Sequence, residues 1–303
     1  MRLVKPKDIR NTQYFSIGAF LIILNYFRHR FLGYKTTRAF PISKTSQAVE
    51  YDLNVVRGWV NALADYTQNS DFLKGKVVLE LGPGADLGIG LILLAMGARK
   101  YIAFDVNPLA RNTPVEFYDR LLSVLSAKFP GVKESYLRGQ LEKAHAGNPE
   151  NLEYIVDSNF YIAGLKENPE IVFGQAAFEH FFDIQKSLSE LSGIVKPGCV
   201  MVSLVDLKTH TAWIRPRDPL NIYRYGRKFW GAFQFAGSPN RIRSFEYKNI
   251  LENNHWHNVK VEPLTVLEDS YVEQVKPTLS EPFRSLETSE LRNLSIMLLA
   301  TKS

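Results

Sequence analysis

Residues 77–88 read VVLELGPGADLG and decide the fold. The mostly apolar run at 77–81 predicts a short buried strand, and glycines then break the strand before a helical pattern begins. Glycine lets the backbone come close to a ligand, and the free amides at the start of a helix favour negative groups. A strand, a glycine turn and a helix in this order are typical of a nucleotide-binding site.

Three kinds of nucleotide site share this layout, and the residues of the turn separate them. A phosphate-binding loop needs Gly-Lys-Ser or Gly-Lys-Thr, which is absent here. A dinucleotide fingerprint needs a glycine three places after Gly84, where the chain has Leu87. The turn resembles the first motif of the class I (Rossmann-like) S-adenosylmethionine-dependent methyltransferases, in which an acidic strand residue precedes Gly-x-Gly. That resemblance implies S-adenosylmethionine as the cofactor, with contacts from Glu80, Gly82, Pro83 and Gly84.

The next strand strengthens this interpretation. Residues 100–105 are mostly apolar and end in Asp105, 21 positions beyond Gly84. A carboxylate at the tip of the second strand can accept both ribose hydroxyls of an adenosine, and it would repel a 2′-phosphate. A turn formed by residues 105–108 is the structural alternative, and it does not exclude ribose binding. We expect Asp105 and the adjacent Val106 to bind the cofactor.

Two later segments extend the resemblance over about residues 75–206. Asp157 follows the third predicted strand, where the family often has an acid that accepts the adenine amino group, although residues 157–159 would also make a good capping turn. Residues 171–180 read IVFGQAAFEH and resemble the fourth-strand motif, which adds Gln175 to the implied cofactor contacts. The resemblance is looser through the final strands to residue 302.

Two histidines are candidates for a general base. Methyl transfer is an in-line displacement, so the protein has to align a nucleophile with the methyl group, and a hydroxyl nucleophile benefits from a base near pH 7. His180, just past the fourth strand, could act as the base, orient a neighbour or cap the following helix. His210 follows the fifth strand, four residues after Asp206, and the two would share one face of a helix if the segment is helical.

Residues 207–243 interrupt the alternation of strands and helices and are rich in aromatic residues and arginine. Methyltransferases associated with polysaccharide and glycolipid biosynthesis look similar here, with Asp-x-x-x-His after strand five followed by an insertion rich in arginine and tyrosine. Aromatic rings can stack on sugars, and arginines can hold carboxylates or phosphates through paired hydrogen bonds. We expect acceptor contacts from Asp206, Tyr223, Arg224, Asn240, Arg241 and Arg243. The alternative is a surface lid whose aromatic residues pack on the domain.

The rest of the chain predicts one doubly wound α/β domain with a mostly parallel sheet. Seven strands are expected, at 76–81, 100–105, 152–156, 171–175, 199–206, 258–266 and 293–302. We divide the 303 residues into an N-terminal segment, 1–45, and a methyltransferase domain, 46–303. No metal site is expected, because the single cysteine, Cys199, excludes a cysteine-built zinc site and the pair His255 and His257 reads better as the start of a strand.

The N-terminal segment contains an apolar run without a charged residue from 11 to 27. The flanking basic residues are Lys5, Lys7, Arg10, Arg28, Arg30, Lys35 and Arg38. Three interpretations stay open: a helix at 11–32 that lies on a membrane surface, a helix packed on the domain or on a partner subunit, and a spanning or cleaved segment. The first predicts a cytoplasmic protein that is peripheral at the inner face of a membrane.

The predicted partner is a methyl acceptor, expected to be a hydroxyl of a small molecule or of a glycan, including a lipid-linked one. A net charge of +6 also suits anionic partners. Nucleic acid is not expected, because residues 174–178 lack the Asn/Asp-Pro-Pro-aromatic motif of amino-directed nucleic-acid methyltransferases. A non-catalytic module of the same fold and a nicotinamide-dependent oxidoreductase are the alternative functions, and the sequence leaves the oligomeric state open.

Overall fold

The computed structural model of the chain describes residues 1–6, 8–33 and 41–303. Within these residues, eight strands form one sheet: β1 (Arg2–Val4), β2 (Val77–Leu81), β3 (Lys100–Asp105), β4 (Leu152–Val156), β5 (Ile171–Gln175), β6 (Val200–Asp206), β7 (Trp256–Leu267) and β8 (Asn293–Lys302). The α-helices of the same part of the chain are α1 (Asn11–Leu32), α2 (Thr45–Thr67), α3 (Gly88–Ala95), α4 (Val115–Lys128), α5 (Glu134–His145), α6 (Ile184–Ile194), α7 (Arg227–Phe233), α8 (Ser244–Asn253), α9 (Asp269–Val275) and α10 (Thr288–Leu291). Of the basic residues predicted to flank α1, Lys7, Lys35 and Arg38 lie outside the described residues.

The order of the strands in the sheet is β1-β7-β8-β6-β5-β2-β3-β4. β2 pairs in parallel with β3 on one side and with β5 on the other, so the winding reverses at β2. β8 runs antiparallel to both of its neighbours, β6 and β7. The predicted doubly wound, mostly parallel α/β fold is therefore confirmed, and the crevice beyond the carboxyl ends of β2 and β5 is where such sheets bind ligands.

The strand count differs from the sequence prediction by one. β1 adds a parallel strand at the sheet edge, with Arg2 opposite Thr265. Three residues are too few for a periodic pattern to be recognised, which is why only tertiary pairing reveals this strand. Residues 109–150 contain the α-helices α4 and α5, and residues 267–292 hold the short helices α9 and α10.

Both faces of the central sheet are buried, as expected for parallel strands. On β3, Tyr101 and Ala103 pack into one core with α2, α3, α4 and α5. Ile102 and Phe104, which alternate with them, pack into a second core with α6 and α8. Every position of β2 is therefore buried, and the chain can turn towards a ligand only where the strand ends.

The insertion at 207–243 is anchored by a third, smaller core. Leu220, Ile222 and Trp230 pack there with Tyr271 and Val272 of α9. Further members of this cluster come from the segment between α9 and β8, and α1 packs against its edge through Ile22. The insertion thus sits as a fixed cap over one end of the sheet, beside the carboxyl end of β6.

Candidate active site

The glycine turn after β2 requires glycine at two positions. Gly82 and Gly84 have φ values of 73° and 80°, in the left-handed region that side chains disfavour. A Cβ on Gly82 would lie 2.9 Å from the Cβ of Ala177, which follows β5. The turn is therefore pressed against the neighbouring strand end, and it leaves Gly82, Pro83 and Gly84 half-buried at the crevice.

Asp105, at the tip of β3, is joined directly to this turn. Its Oδ2 accepts a hydrogen bond from the Gly84 amide at 3.2 Å, and its Oδ1 accepts one from the Asn107 amide at 2.9 Å. Burial raises the pKa of the carboxyl, and the amide hydrogen bonds oppose that shift. The strand-end turn that was the alternative is thus present, while the carboxylate still lies beside the glycine turn. Val106, next along the chain, is exposed.

Three further carboxyl groups surround the turn, and we refer to Asp52, Glu80, Asp86 and Asp105 as the acid cluster. Glu80 is buried in β2 and accepts a hydrogen bond from the Tyr101 hydroxyl at 2.5 Å. Burial raises the pKa of Glu80 to about 8, with added repulsion from Asp86 and Asp105. Burial also raises the pKa values of Asp52 and Asp86, and the proximity of Asp86 adds to the shift at Asp52.

Sequence reasoning did not find Asp52 or Asp86. Asp52 lies on the apolar face of α2, between Val49 and Val56, and a charged residue on a buried helix face is a signal that points to a function or a partner. Asp86 lies in the turn itself and accepts a hydrogen bond from the Gly88 amide at 2.8 Å. Together the four acids make the glycine turn an environment that favours a positively charged ligand and disfavours an anionic one.

The remaining predicted cofactor residues stand at the ends of β4 and β5. The carboxylate of Asp157 accepts hydrogen bonds from the amides of Asn159 and Tyr161, at 2.9 and 3.1 Å, so the predicted capping turn exists. Each oxygen keeps a free lone pair, and a contact with adenine stays a prediction. Gln175, the last residue of β5, is half-buried two residues before Ala177.

The two predicted catalytic histidines lie together at the ends of β5 and β6. Their rings are 4.8 Å apart at an interplanar angle of 81°. Nδ1 of His180 is 2.6 Å from the carbonyl oxygen of Gly237, and Nδ1 of His210 is 2.8 Å from that of Lys208. A carbonyl oxygen can only accept, so both Nδ1 atoms carry a proton, and in the neutral form of each ring Nε2 keeps a lone pair. Burial lowers the pKa of His180 to about 4, so its ring is neutral at pH 7.

Glu179 completes this group. The side chain is 2% exposed, and neither carboxylate oxygen has a hydrogen-bond partner among the described residues. Its Oε1 lies 3.7 Å from Nε2 of His210. Burial raises the pKa of Glu179, and the nearby His210 opposes the shift.

Asp206 and His210 do not share a helix face, because residues 207–210 are not helical. The condition for a shared helix face, a helical segment, is therefore not met. Asp206 instead accepts a hydrogen bond from the Lys208 amide at 3.0 Å and forms an ion pair with Arg215. The negative charge of Asp206 still raises the pKa of His180, against the larger effect of burial. A direct contact between Asp206 and an acceptor stays a prediction.

Three of the residues predicted to contact the acceptor are inside the protein, and this part of the prediction is wrong. Arg243 is 0% exposed and donates to the Tyr223 hydroxyl at 3.0 Å and to the Asn293 carbonyl at 2.8 Å. Tyr223, also buried, donates to the Leu207 carbonyl at 2.7 Å. Arg224 is buried in an ion pair with Asp218, at 2.7 Å. Buried arginines are satisfied by such partners, and these three side chains hold the insertion together.

Asn240 and Arg241 connect the insertion to the site. The Asn240 amide group donates to the carbonyl oxygens of Phe178 and Phe181, at 2.9 and 3.4 Å, on either side of Glu179 and His180. Arg241 donates to the Tyr225 carbonyl at 2.6 Å and lies 4.6 Å over the Trp230 ring. The Asn240 contacts position the loop that carries Glu179 and His180. A direct contact of Asn240 or Arg241 with the acceptor stays a prediction.

α1 packs on the insertion with one face and exposes the other. Asn221 donates to the Tyr14 carbonyl at 2.8 Å, Tyr225 donates to the Phe15 carbonyl at 2.9 Å, and Asn25 donates to Thr211, next to His210, at 3.3 Å. Packing on the domain, one of the three interpretations of this segment, is therefore observed. In the described part of the chain, no helix has the length and apolar character that crossing a membrane would require.

The exposed face of α1 is an apolar stripe. Its members follow a three- and four-residue spacing, so they lie on one side of the helix: Ile17, Phe20, Leu24, Phe27 and Phe31. Phe20 is 62% exposed and Phe31 is 72% exposed. Arg28 and Arg30 lie at the same end of the helix as Phe31 and are exposed.

Solved structures with a similar fold are methyltransferases, at low sequence identity. The magnesium protoporphyrin IX methyltransferase of Synechocystis PCC 6803, with bound SAH, is 14% identical over 96% of this chain and 100% of that chain, with a TM-score of 0.44. An S-adenosylmethionine-dependent methyltransferase from Mesorhizobium loti is 14% identical over 76% and 93%, with a TM-score of 0.42. An O-methyltransferase family protein from Burkholderia thailandensis is 11% identical over 96% and 70%, also at 0.42. Likenesses this weak carry no argument about chemistry. No family model matches the sequence, and no curated protein is significantly similar to it.

Proposed function

We propose that this protein transfers a methyl group from S-adenosylmethionine to an acceptor hydroxyl. The observation that carries the proposal is the acid cluster around the glycine turn, at the point where the winding of the sheet reverses. S-adenosylmethionine has a sulfonium and an ammonium group against one carboxylate, so its net charge is positive. A positive charge at the turn favours the ionised form of these buried carboxyl groups, whereas an anion there would raise their pKa values further.

The same cluster argues against a nicotinamide cofactor. A dinucleotide places its doubly negative pyrophosphate on the glycine turn and the helix start, where this chain has Asp86 within the turn and Asp52 packed beside Gly88. Leu87 also stands where the dinucleotide fingerprint needs a glycine. An oxidoreductase of the Rossmann class is therefore the weaker alternative.

Each predicted cofactor residue has a role that its position permits. The glycine turn admits the methionine part close to the backbone of residues 82–84, and Asp105 accepts the ribose hydroxyls in place of its present amide contact with Gly84. Asp157 and Gln175, at the ends of β4 and β5, would contact the adenine side. The cofactor supplies an electrophilic methyl carbon, and the protein aligns the acceptor with it and excludes water.

The acceptor side is assigned to the group of Glu179, His180 and His210. These side chains meet at the carboxyl ends of β5 and β6, next to Ala177, which touches the glycine turn. Both imidazoles present Nε2 lone pairs, which suits the removal of a hydroxyl proton. When the acceptor oxygen bonds to the methyl carbon, the carbon–sulfur bond breaks and its electron pair stays on the neutral sulfur.

We further propose that the acceptor is a glycan or another hydroxyl compound held at a membrane surface. The apolar stripe of α1 and the exposed Arg28 and Arg30 are complementary to an anionic lipid surface. Because Asn25 of α1 contacts Thr211 beside His210, a lipid-linked acceptor would reach the histidines from the membrane side. We therefore propose that the enzyme works at the cytoplasmic face of a membrane.

Cofactor identity is tested by calorimetric titration with S-adenosylhomocysteine and with NAD. We expect binding of the first alone, weakened in Asp105→Ala by about 1.5–3 kcal/mol, the range for hydrogen bonds to a charged group. Asp65→Ala removes an exposed carboxylate of α2 and should leave binding unchanged. Equal affinity of Asp105→Ala and the parent protein would show that the ribose assignment is wrong.

Turnover separates an enzyme from a non-catalytic module of the same fold. Membrane and soluble extracts are incubated with cofactor carrying a labelled methyl group, with and without the protein, and new labelled products are identified by mass spectrometry. A labelled glycan or lipid that depends on the protein supports the proposal. Binding of S-adenosylhomocysteine without any labelled product in either fraction favours the module.

A further inference from the structure

We propose that Glu179, His180 and His210 bind one divalent transition-metal ion, with Zn²⁺ as the representative, at the carboxyl ends of β5 and β6. This departs from the sequence prediction of no metal site, which could not detect this group because His210 is thirty positions from His180 and neither residue lies in a recognisable ligand motif. The fold brings one ligand atom from each of the three residues within 4.8 Å of the other two. Two imidazoles and one carboxylate are a ligand set that zinc and related ions accept.

The first argument is the orientation of the two rings. Nδ1 of each histidine donates to a backbone carbonyl, that of Gly237 for His180 and that of Lys208 for His210. Metal-binding histidines are held in the same way, with the second nitrogen donating to a carbonyl or a carboxylate so that the first presents its lone pair to the ion. In this chain both rings are already fixed in the form that binds a metal.

The second argument is the isolation of Glu179. Its carboxyl group is 2% exposed and neither oxygen has a hydrogen-bond partner among the described residues. Nε2 of His210 lies 3.7 Å from Oε1 of Glu179 and, in the neutral ring, also presents a lone pair. Lone pairs that face each other in a buried site need a positive charge between them. A proton can bridge one such pair, whereas a metal ion satisfies all three groups at once.

The third argument is distance. A tetrahedral ion with bonds near 2.1 Å places its ligand atoms about 3.4 Å apart. The separation of 3.7 Å between Glu179 and His210 is already close to that value, and no separation in the group exceeds 4.8 Å, so the contraction needed is at most about 1.4 Å. Rotation of the Glu179 and His180 side chains provides a movement of this size without moving the backbone.

Asn240 is the positioning residue of this site. Its side-chain amide donates to the carbonyl oxygens of Phe178 and Phe181, and its backbone amide donates to the Glu179 carbonyl at 2.7 Å. The loop that carries Glu179 and His180 is therefore fixed on both sides. Outer contacts of this kind set the orientation of metal ligands, and their loss typically weakens metal binding by about 10- to 100-fold.

Three protein ligands leave at least one coordination position open, as in catalytic rather than structural metal sites. The use of that position rests on the proposed function, with the two histidines acting as metal ligands in place of bases: an acceptor hydroxyl bound there would lose its proton to solvent more readily, because the ion stabilises the alkoxide. The alkoxide oxygen then forms the bond to the methyl carbon as the carbon–sulfur bond breaks. Binding of the ion itself requires neither cofactor nor acceptor.

The test is a titration of the chelator-treated full chain with Zn²⁺ alone, followed by calorimetry, and with Co²⁺, followed by visible absorption. We expect one equivalent of either ion, with ligand-field bands typical of nitrogen and oxygen ligands. His210→Ala and Glu179→Gln should each weaken Zn²⁺ binding at least about 100-fold, and Asn240→Ala should weaken it by about 10- to 100-fold. The Co²⁺ spectrum of the unchanged protein keeps the test valid even if one variant does not fold.

The control is the double variant His255→Ala/His257→Ala, which removes an exposed histidine pair at the start of β7. Loss of the ion in this control, with retention in His210→Ala, would overturn the proposal, as would a stripped chain that binds neither ion. Titration with S-adenosylhomocysteine is run on the same samples. Intact cofactor binding without metal binding refutes only the metal site, and the reverse refutes only the cofactor assignment.

Discussion

Replacing Glu80 by glutamine tests the electrostatics of the acid cluster most directly. The carboxyl group is buried in β2, and its pKa is raised to about 8 from an ordinary value of 4.5. The folded protein therefore holds a proton on Glu80 between pH 4.5 and 8, where the unfolded chain has lost it. Stability from this group is complete below pH 4.5 and falls as the pH rises through the folded pKa, by about 1.4 kcal/mol for each pH unit.

The magnitude follows from these two pKa values. Between pH 5 and pH 8 the ionisation equilibria remove about 3.5 kcal/mol of unfolding free energy from the parent protein. Glutamine cannot ionise and can still accept the hydrogen bond from the Tyr101 hydroxyl, so Glu80→Gln should lack this loss. For a chain of 303 residues, this difference means that the melting temperature of Glu80→Gln should fall about 5–6 °C less than that of the parent protein between pH 5 and pH 8.

The assay is thermal and urea unfolding of both proteins at pH 5, 6, 7 and 8. Glu273→Gln changes an exposed glutamate of α9 and should follow the parent protein at every pH. A free-energy difference between Glu80→Gln and the parent that stays constant from pH 5 to pH 8 would refute the reasoning. Such a result would mean that Glu80 is ionised throughout and that burial does not raise its pKa.

Other residues of the site and of α1 give equally specific expectations. S-adenosylmethionine has a charged sulfur and S-adenosylhomocysteine does not, so the ratio of their affinities should rise in favour of S-adenosylmethionine as the pH approaches the pKa of Glu80, about 8. Calorimetry on Glu80→Gln should show a weaker rise. Gly82→Ala should lower stability by at least about 1–2 kcal/mol, because its φ is positive and its Cβ would contact Ala177, whereas Gly231→Ala, in open space, should not. Arg243→Met should destabilise the fold by about 3–5 kcal/mol in urea unfolding, because it leaves buried carbonyl groups unpaired. Phe20→Ser/Phe27→Ser should reduce binding to vesicles that contain anionic phospholipid while S-adenosylhomocysteine affinity is unchanged, and unaltered vesicle binding would contradict the membrane proposal.

Much of the sheet could be read from the sequence because each strand carries its own local signal. Residues 100–105 and 152–156 were predicted with the bounds that the structure has, since apolar runs between turn residues mark buried strands. β1 was missed because it is three residues long and is a strand only through its pairing with β7. Asp105 was also recognised from a local signal, because it is an acid at a strand end a fixed distance beyond a glycine turn.

The acceptor-side prediction was less accurate, because residue type does not reveal burial. Tyr223, Arg224 and Arg243 are chemically suited to bind a sugar or a phosphate, and the sequence contains nothing to show that all three are inside the protein. Their partners lie far along the chain: Asn293 is 50 positions from Arg243, and Asn11 is 213 positions from Arg224. Only the packing of the insertion on the rest of the domain decided between a binding surface and a buried hydrogen-bond network.

The sequence by itself determined the doubly wound order of elements, the glycine turn and the carboxylate at residue 105, because these depend on neighbouring residues and on short-range backbone geometry. Tertiary structure alone decided that Asp52 joins the glycine turn and that Glu179 and His180 meet His210. These contacts depend on which strand ends lie side by side in the sheet and on which groups are thereby removed from water. Burial then sets the pKa values and the unsatisfied lone pairs on which the proposed chemistry depends.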